Sequence, residues 1–230
     1  MIQTNLNEVE QNIINACKRA NRAREEVTLV AVSKTKPVSL LDDAYNAGVR
    51  DFGENKVQEM CDKYEIMEKD IKWHMIGHLQ TNKVKYLIGK THLIHSVDSF
   101  KLACEIEKHA AKHNCDVDIL IEVNAANEET KFGLAVDDVI SLVREVAKLP
   151  HVHIKGLMTV APYVVDSEEN REIFHNIKQL SIDINNQNID NVNMNVLSMG
   201  MTGDYTVAIE EGATIVRVGT GIFGERDYSK

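Results

Sequence analysis

The chain has 230 residues, 43% of them apolar, and sets 26 basic against 35 acidic residues for a net charge of -9. That length and apolar content suit a full hydrophobic core, while the acidic balance excludes general affinity for nucleic acid or anionic membranes. No apolar run is long enough to span a bilayer, and the polar, acidic residues 1–10 do not read as a secretory signal.

In chain order, residues 5–24 carry an amphipathic helical pattern with Leu6, Val9, Ile13, Ile14 and Cys17 on one stripe. Strand and helix signals then alternate. Strands are predicted at 28–33, 50–53, 72–76, 92–96, 118–123, 153–159, 193–197 and 214–218. Helices are predicted at 39–46, 55–67, 99–113, 136–149, 167–186 and 204–211, with Ser39, Asp98 and Ser167 as candidate N-caps. Three prolines and scattered glycines leave no linker-like stretch, and no sequence repeat is visible. About eight strands alternating with helices predict a parallel (β/α)8 TIM barrel with an extra N-terminal helix. The doubly wound open sheet is the alternative, but no glycine-rich G-x-G-x-x-G loop follows the first strand. Cys17, Cys61, Cys104 and Cys115 form no C-x-x-C pair, which fits reduced thiols in a cytoplasmic protein.

Lys34 ends the apolar run Leu29-Val30-Ala31-Val32-Ser33-Lys34-Thr35-Lys36-Pro37, where Pro37 marks a turn. Side chains alternate along a strand, so Val30, Val32 and Lys34 share a face. A partly desolvated amine there loses its charge more easily and can act as a nucleophile; snorkelling to water is the commoner fate of such a lysine.

Two later segments are rich in small residues. Leu197-Ser198-Met199-Gly200-Met201-Thr202-Gly203-Asp204 and Val216-Arg217-Val218-Gly219-Thr220-Gly221-Ile222-Phe223-Gly224 each follow a predicted strand, the seventh and the eighth. In barrels of this class those loops often hold a phosphate, and the hydroxyls of Ser198, Thr202 and Thr220 can donate to one. Each segment alone fits tight turns equally well; the pair together points to phosphate. Arg217 interrupts an apolar strand and is expected to point into the barrel, where a guanidinium needs acceptors; charge alone favours an acidic partner. His74 with His78, and His109 with His113, read as ordinary polar pairs rather than metal ligands.

The string around Lys34 resembles the cofactor-lysine segment of the pyridoxal phosphate homeostasis proteins. Four further strings resemble that family in the same order. They are Phe52-Gly53-Glu54-Asn55-Lys56-Val57-Gln58-Glu59, Trp73-His74-Met75-Ile76-Gly77-His78-Leu79-Gln80-Thr81-Asn82-Lys83, Gly156-Leu157-Met158-Thr159, and the segment from Val216 to Gly224; the likeness continues through Glu225-Arg226-Asp227-Tyr228. Thr202 stands where the family often has Ser, and Lys56 where an aromatic residue is frequent.

The resemblance implies one barrel domain across residues 1–230, like the N-terminal domain of alanine racemase. It implies pyridoxal 5′-phosphate (PLP) held as a Schiff base on Lys34, with Lys36 as the main rival. Its phosphate would lie against Ser198, Thr202, Gly219 and Thr220. Arg217 would face the pyridine nitrogen, keeping it largely unprotonated and weakening the ring as an electron sink. Asn55 would lie near the ring or the lysine, and the 124–133 loop would shape the same rim.

Racemases of this barrel type take a second base, a tyrosine, from an additional β-domain across a dimer. This sequence stops about a dozen residues after Arg217, and none of its six tyrosines matches that role. The expectation is therefore a monomeric PLP carrier without clear turnover, serving PLP homeostasis, with apo-PLP enzymes as its partners. The alternatives are a weak amino-acid racemase and a regulatory protein that keeps only the fold.

Overall fold

A computed structural model of the protein describes residues 1–126, 128 and 132–225. Eight parallel strands close into a barrel in sequence order. They are β1 (Thr28–Val32), β2 (Asp51–Glu54), β3 (Lys72–Met75), β4 (Leu93–Val97), β5 (Val117–Val123), β6 (Val152–Thr159), β7 (Val192–Met201) and β8 (Ile215–Val218). The helices are α1 (Ile2–Arg19), α2 (Val38–Asn46), α3 (Val57–Ile66), α4 (Phe100–His113), α5 (Val136–Val146), α6 (Arg171–Asn185), α7 (Tyr205–Glu210) and α8 (Thr220–Phe223). Closure of β8 onto β1, with Val30 opposite Arg217, brings the two ends of the sequence together.

The period-2 pattern of the strands sorts two cores. Ala31, Phe52, Trp73, Ile94, Ile119, Val216 and Val218 pack outward against the helices. Val30, Leu93, Leu120, Met158 and Ile215 meet inside the barrel. Helix α1 lays Leu6, Val9, Ile13 and Cys17 on its buried stripe and packs against α7 and α8.

The eight strands lie close to where they are predicted, and the larger departures have physical reasons. Helix α1 stops at Arg19 rather than 24, because Asn21 takes a left-handed conformation (φ 53°) and the chain turns into a 3-10 turn at Arg24–Glu26. Between β3 and β4 the crossover is only a 3-10 turn, Thr81–Tyr86, which the sequence pattern does not reveal. Strand β7 runs on to Met201, since Ser198 and Met201 still pair with Ile215 and Arg217 of β8. The caps also shift. Ser99, not Asp98, accepts from the Leu102 amide at the start of α4, and Asp166, not Ser167, accepts from the Glu168 amide; α2 begins after Pro37 with no side-chain cap, so Ser39 lies inside the helix.

Candidate functional site

At the C-terminal ends of the strands the barrel opens into a cavity of about 620 Å³. Lys34, Asn55, Thr202, Arg217, Gly219 and Thr220 all line it. They come from the loops after β1, β2 and β7 and from β8 and the turn that follows it. Val32, Ile76, Val160 and Met201 supply an apolar wall.

The lysine turn is strapped from behind. The Ser33 amide donates to the Gly53 carbonyl (3.0 Å), and the Ser33 hydroxyl donates to Glu54 Oε1 (2.6 Å). Lys63 of α3, only 5% exposed, donates to the Ser33 carbonyl (2.8 Å), Glu54 (2.7 Å) and Glu59 (2.8 Å). Glu59 in turn accepts from the Thr35 amide (2.6 Å), and Thr35 is left-handed (φ 63°). Burial pushes the Glu54 carboxyl up from its ordinary range, and Lys63 opposes that shift. Lys34 is thus carried on a turn whose backbone is fixed by a buried ion cluster, while its own side chain is half-buried in the cavity wall.

Lys36 does not follow it. The left-handed Thr35 breaks strand alternation, and Lys36 Nζ donates to the carbonyls of Phe223 (3.2 Å), Gly224 (3.0 Å) and Glu225 (2.8 Å). The ammonium satisfies carbonyl groups at and just beyond the end of α8, and Lys36 is absent from the cavity lining.

Arg217 points into the barrel, as strand alternation requires, and is 4% exposed. Its guanidinium donates to Ser198 Oγ and to the Thr159 carbonyl (2.8 Å). Among the described residues no carboxylate lies within ion-pair distance of it, so the acidic partner that charge alone favours is replaced by neutral acceptors. Burial lowers its pKa to about 10, a shift that Glu122 and Asp204 oppose.

Ser198 is the candidate that the structure does not bring to the cavity wall. As a residue of β7 it faces the barrel interior, fully buried beneath Arg217. Its hydroxyl is engaged by Arg217 and by His95 Nδ1 (2.8 Å). Thr202 does reach the cavity, and its hydroxyl accepts from the amides of Gly219 (3.3 Å) and Gly221 (3.5 Å), tying the β7 and β8 loops together. Asp204 secures the same loop by accepting from the Met201 amide (2.7 Å) and from Asn170 (2.9 Å).

Asn55 carries the clearest sign of a missing ligand. Its Oδ1 is buried without a hydrogen-bond partner, which is costly unless something in the cavity donates to it. Its backbone is held by Gly77, where an added Cβ would fall 2.4 Å from the Asn55 carbonyl oxygen.

Beneath this floor lie His95, which sequence reasoning passed over, and His74, which it read only as an ordinary polar residue. His95 bonds His74 (2.9 Å), and His74 bonds Asp51 (3.0 Å). A period-2 reading of β3 and β4 would have placed both histidines inside, next to Leu93. His78, by contrast, stacks on Phe132 and lies 4.0 Å from Asp98. His109 pairs with Glu105 on α4, and His113 bonds the His109 carbonyl. Glu122 is a further interior group; burial, reinforced by Asp98, raises its pKa to about 7. Residues 127 and 129–131 of the 124–133 loop, and residues 226–228, lie outside the described residues.

Comparison with known proteins places the chain in a family. A sequence profile of the family described as alanine racemase, N-terminal domain, matches residues 4–227. A pyridoxal phosphate homeostasis protein of Aquifex aeolicus (strain VF5) is 47% identical over 224 residues, 97% of each chain. The chain belongs to the pyridoxal phosphate homeostasis protein family. A solved member of the family's structural neighbourhood, PipY of Synechococcus elongatus PCC7942 with PLP bound, superimposes with a TM-score of 0.83 at 31% identity, covering 97% of this chain and all of that one. An alanine racemase from Clostridium difficile 630 shares the fold alone, with a TM-score of 0.76 at 15% identity; the match covers 98% of this chain and 56% of the racemase. The family is named for homeostasis rather than for a reaction. No helix among the described residues is long and apolar enough to cross a membrane.

Proposed function

We propose that the chain, residues 1–230 acting as one domain, binds PLP in the barrel cavity as a Schiff base on Lys34 and serves intracellular PLP homeostasis by holding and releasing it. The observation that carries this reading is the convergence of Lys34 and Arg217, from opposite ends of the sequence, in the wall of one cavity. The donor set fits the cofactor. Lys34 supplies the amine; the Thr202 hydroxyl and the Gly219–Thr220 turn supply small polar groups for a phosphate; Asn55 Oδ1 offers an unspent acceptor. Arg217 offers a donor at the floor, with Ser198 acting through it. The group's chemistry is that of an aldehyde: its carbon joins Lys34 Nζ with loss of water, and water reverses the bond.

The arrangement favours reversible storage over racemisation. A racemase needs a second base held opposite the lysine and exclusion of water. Tyr163 is the tyrosine that lines this cavity among the described residues, but it is 96% exposed and nothing anchors its hydroxyl. Lys36 is committed to backbone carbonyls and does not compete for the cofactor. We read the protein as a cytoplasmic monomer with four free cysteines, delivering PLP to apo-enzymes.

Addition of PLP to the purified protein tests the reading. A visible imine band is expected in the parent and not in Lys34→Ala, with no exchange of amino-acid α-hydrogen in deuterated water. Equal bands in both proteins, or none in either, would remove Lys34 as the anchor. Lysine-dependent α-hydrogen exchange would restore the racemase reading.

A further inference from the structure

Four hydrogen bonds run through the barrel from the cavity floor to the opposite end: Arg217 to Ser198, Ser198 to His95 Nδ1, His95 Nε2 to His74 Nδ1, and His74 Nε2 to Asp51. Arg217 lies under the cavity, whereas Asp51 opens β2 at the N-terminal end of the barrel, where its side chain is 18% exposed. Every link between them is buried: Arg217 4% exposed, Ser198 and His95 0%, His74 1%.

The direction of this chain follows from donor and acceptor capacity together with the burial of His95. A guanidinium has no acceptor, so Arg217 donates and Ser198 Oγ accepts. The serine hydrogen then has one acceptor within reach among the described residues, His95 Nδ1. His95 is wholly buried between His74 and Arg217, a setting that disfavours a charged ring, so its single proton sits on Nε2 and is donated to His74 Nδ1. With Nδ1 accepting, His74 carries its own proton on Nε2 and donates it to the Asp51 carboxylate. His92, its ring centroid 5.4 Å from that of His74, packs edge-on beside the chain and takes no part in it.

We propose that His95 and His74 are positioning residues for Arg217. With Ser198 and Asp51 they form a one-way relay of donors that anchors the guanidinium and keeps its remaining N–H groups available to an acceptor in the cavity. The proposal rests on the reading of that cavity as a PLP site. A neutral hydrogen-bond chain replaces the carboxylate that would otherwise pair with a buried arginine, and its one full negative charge is kept at the far end, at Asp51. The four bonds polarise in the same sense, so each strengthens the next.

The test begins without cofactor. In the nitrogen-15-labelled parent, nitrogen–proton correlations across the imidazole rings are expected to show His95 and His74 each protonated at Nε2 and bare at Nδ1 at neutral pH. A proton on His95 Nδ1, or an imidazolium at His74, would overturn the proposal. Asp51→Asn keeps an acceptor oxygen and is expected to preserve the His95 signature; Asp51→Leu removes the acceptor and is expected to move it. A purely packing role predicts no such rescue, and an unchanged His95 spectrum in Asp51→Leu would count against the relay. Should Asp51→Leu fail to fold, Ser198→Ala cuts the same chain at its other end. With PLP added, Ser198→Ala is expected to weaken cofactor binding by about tenfold; unchanged affinity would contradict the positioning role. Absence of any imine band in the parent would sink the reading of the cavity, while the nitrogen shifts would still decide the relay.

Discussion

At the scale of single residues, the two side chains on which the proposed site rests stand out in the sequence because each breaks a pattern. Lys34 ends an apolar strand and Arg217 interrupts one, and the inward direction of Arg217 follows from period 2. Ser198 and Lys36 show where that logic stops. Ser198 reads as a loop residue only if β7 ends at 197; pairing with β8 continues to Met201, so its hydroxyl is carried under Arg217 instead of into the cavity. Lys36 shares a face with Lys34 only if the strand continues, but β1 ends at Val32 and the left-handed Thr35 turns the chain between the two lysines. Glu122 was missed altogether, though its inward position on β5 alternates with Ile121 and Val123. Folding favours its protonated form. Its contribution to stability is therefore complete below its ordinary value of 4.5 and is lost as pH rises through about 7. Glu122→Gln fixes the neutral form, so its stability should exceed the parent's by a margin that grows across that window to roughly 3 kcal/mol and is flat above it. Urea unfolding at a series of pH values checks this; a margin independent of pH would show that Glu122 is not protonated in the fold.

At the scale of elements, the strands were legible, most of them as short apolar runs and the more polar β2 and β3 by their place in the strand–helix alternation, while helix ends were not. The end of α1 depends on the left-handed Asn21, and the cap of α4 depends on which of Asp98 and Ser99 reaches the Leu102 amide. Neither choice is visible in composition. The 3-10 crossover Thr81–Tyr86 is too short to show a period. Two elements invite direct tests. Gly156 lies in β6 where an added Cβ would fall 1.7 Å from the Val196 carbonyl oxygen, so Gly156→Ala must push β6 away from β7. Loss of the cooperative unfolding transition is expected, and a parent-like transition would show that the strands can part without cost. Helix α3 holds the lysine turn through Lys63. Lys63→Met leaves Glu54 buried without its cation and is expected to cost about 3–5 kcal/mol in chemical unfolding. A loss below about 1 kcal/mol would mean that the cluster behaves as a surface pair.

At the scale of the molecule, the barrel closes β8 onto β1 and makes one site from the two ends of the sequence. Fold class followed from the strand–helix alternation, whereas the cavity's internal wiring did not, because hydrogen bonds between distant strands leave no spacing signature. A ligand that binds only the folded barrel stabilises it by mass action. PLP at a hundredfold excess over its dissociation constant is expected to add about 2.7 kcal/mol to the parent and little to Lys34→Ala. Equal thermal shifts in both proteins would show binding that does not depend on the lysine. The most direct test of the account is covalent. Borohydride reduction of the PLP-loaded protein, followed by peptide mapping, should place the pyridoxyl adduct on Lys34 alone. An adduct on Lys36 or on another lysine, with Lys34 unmodified, would contradict the account.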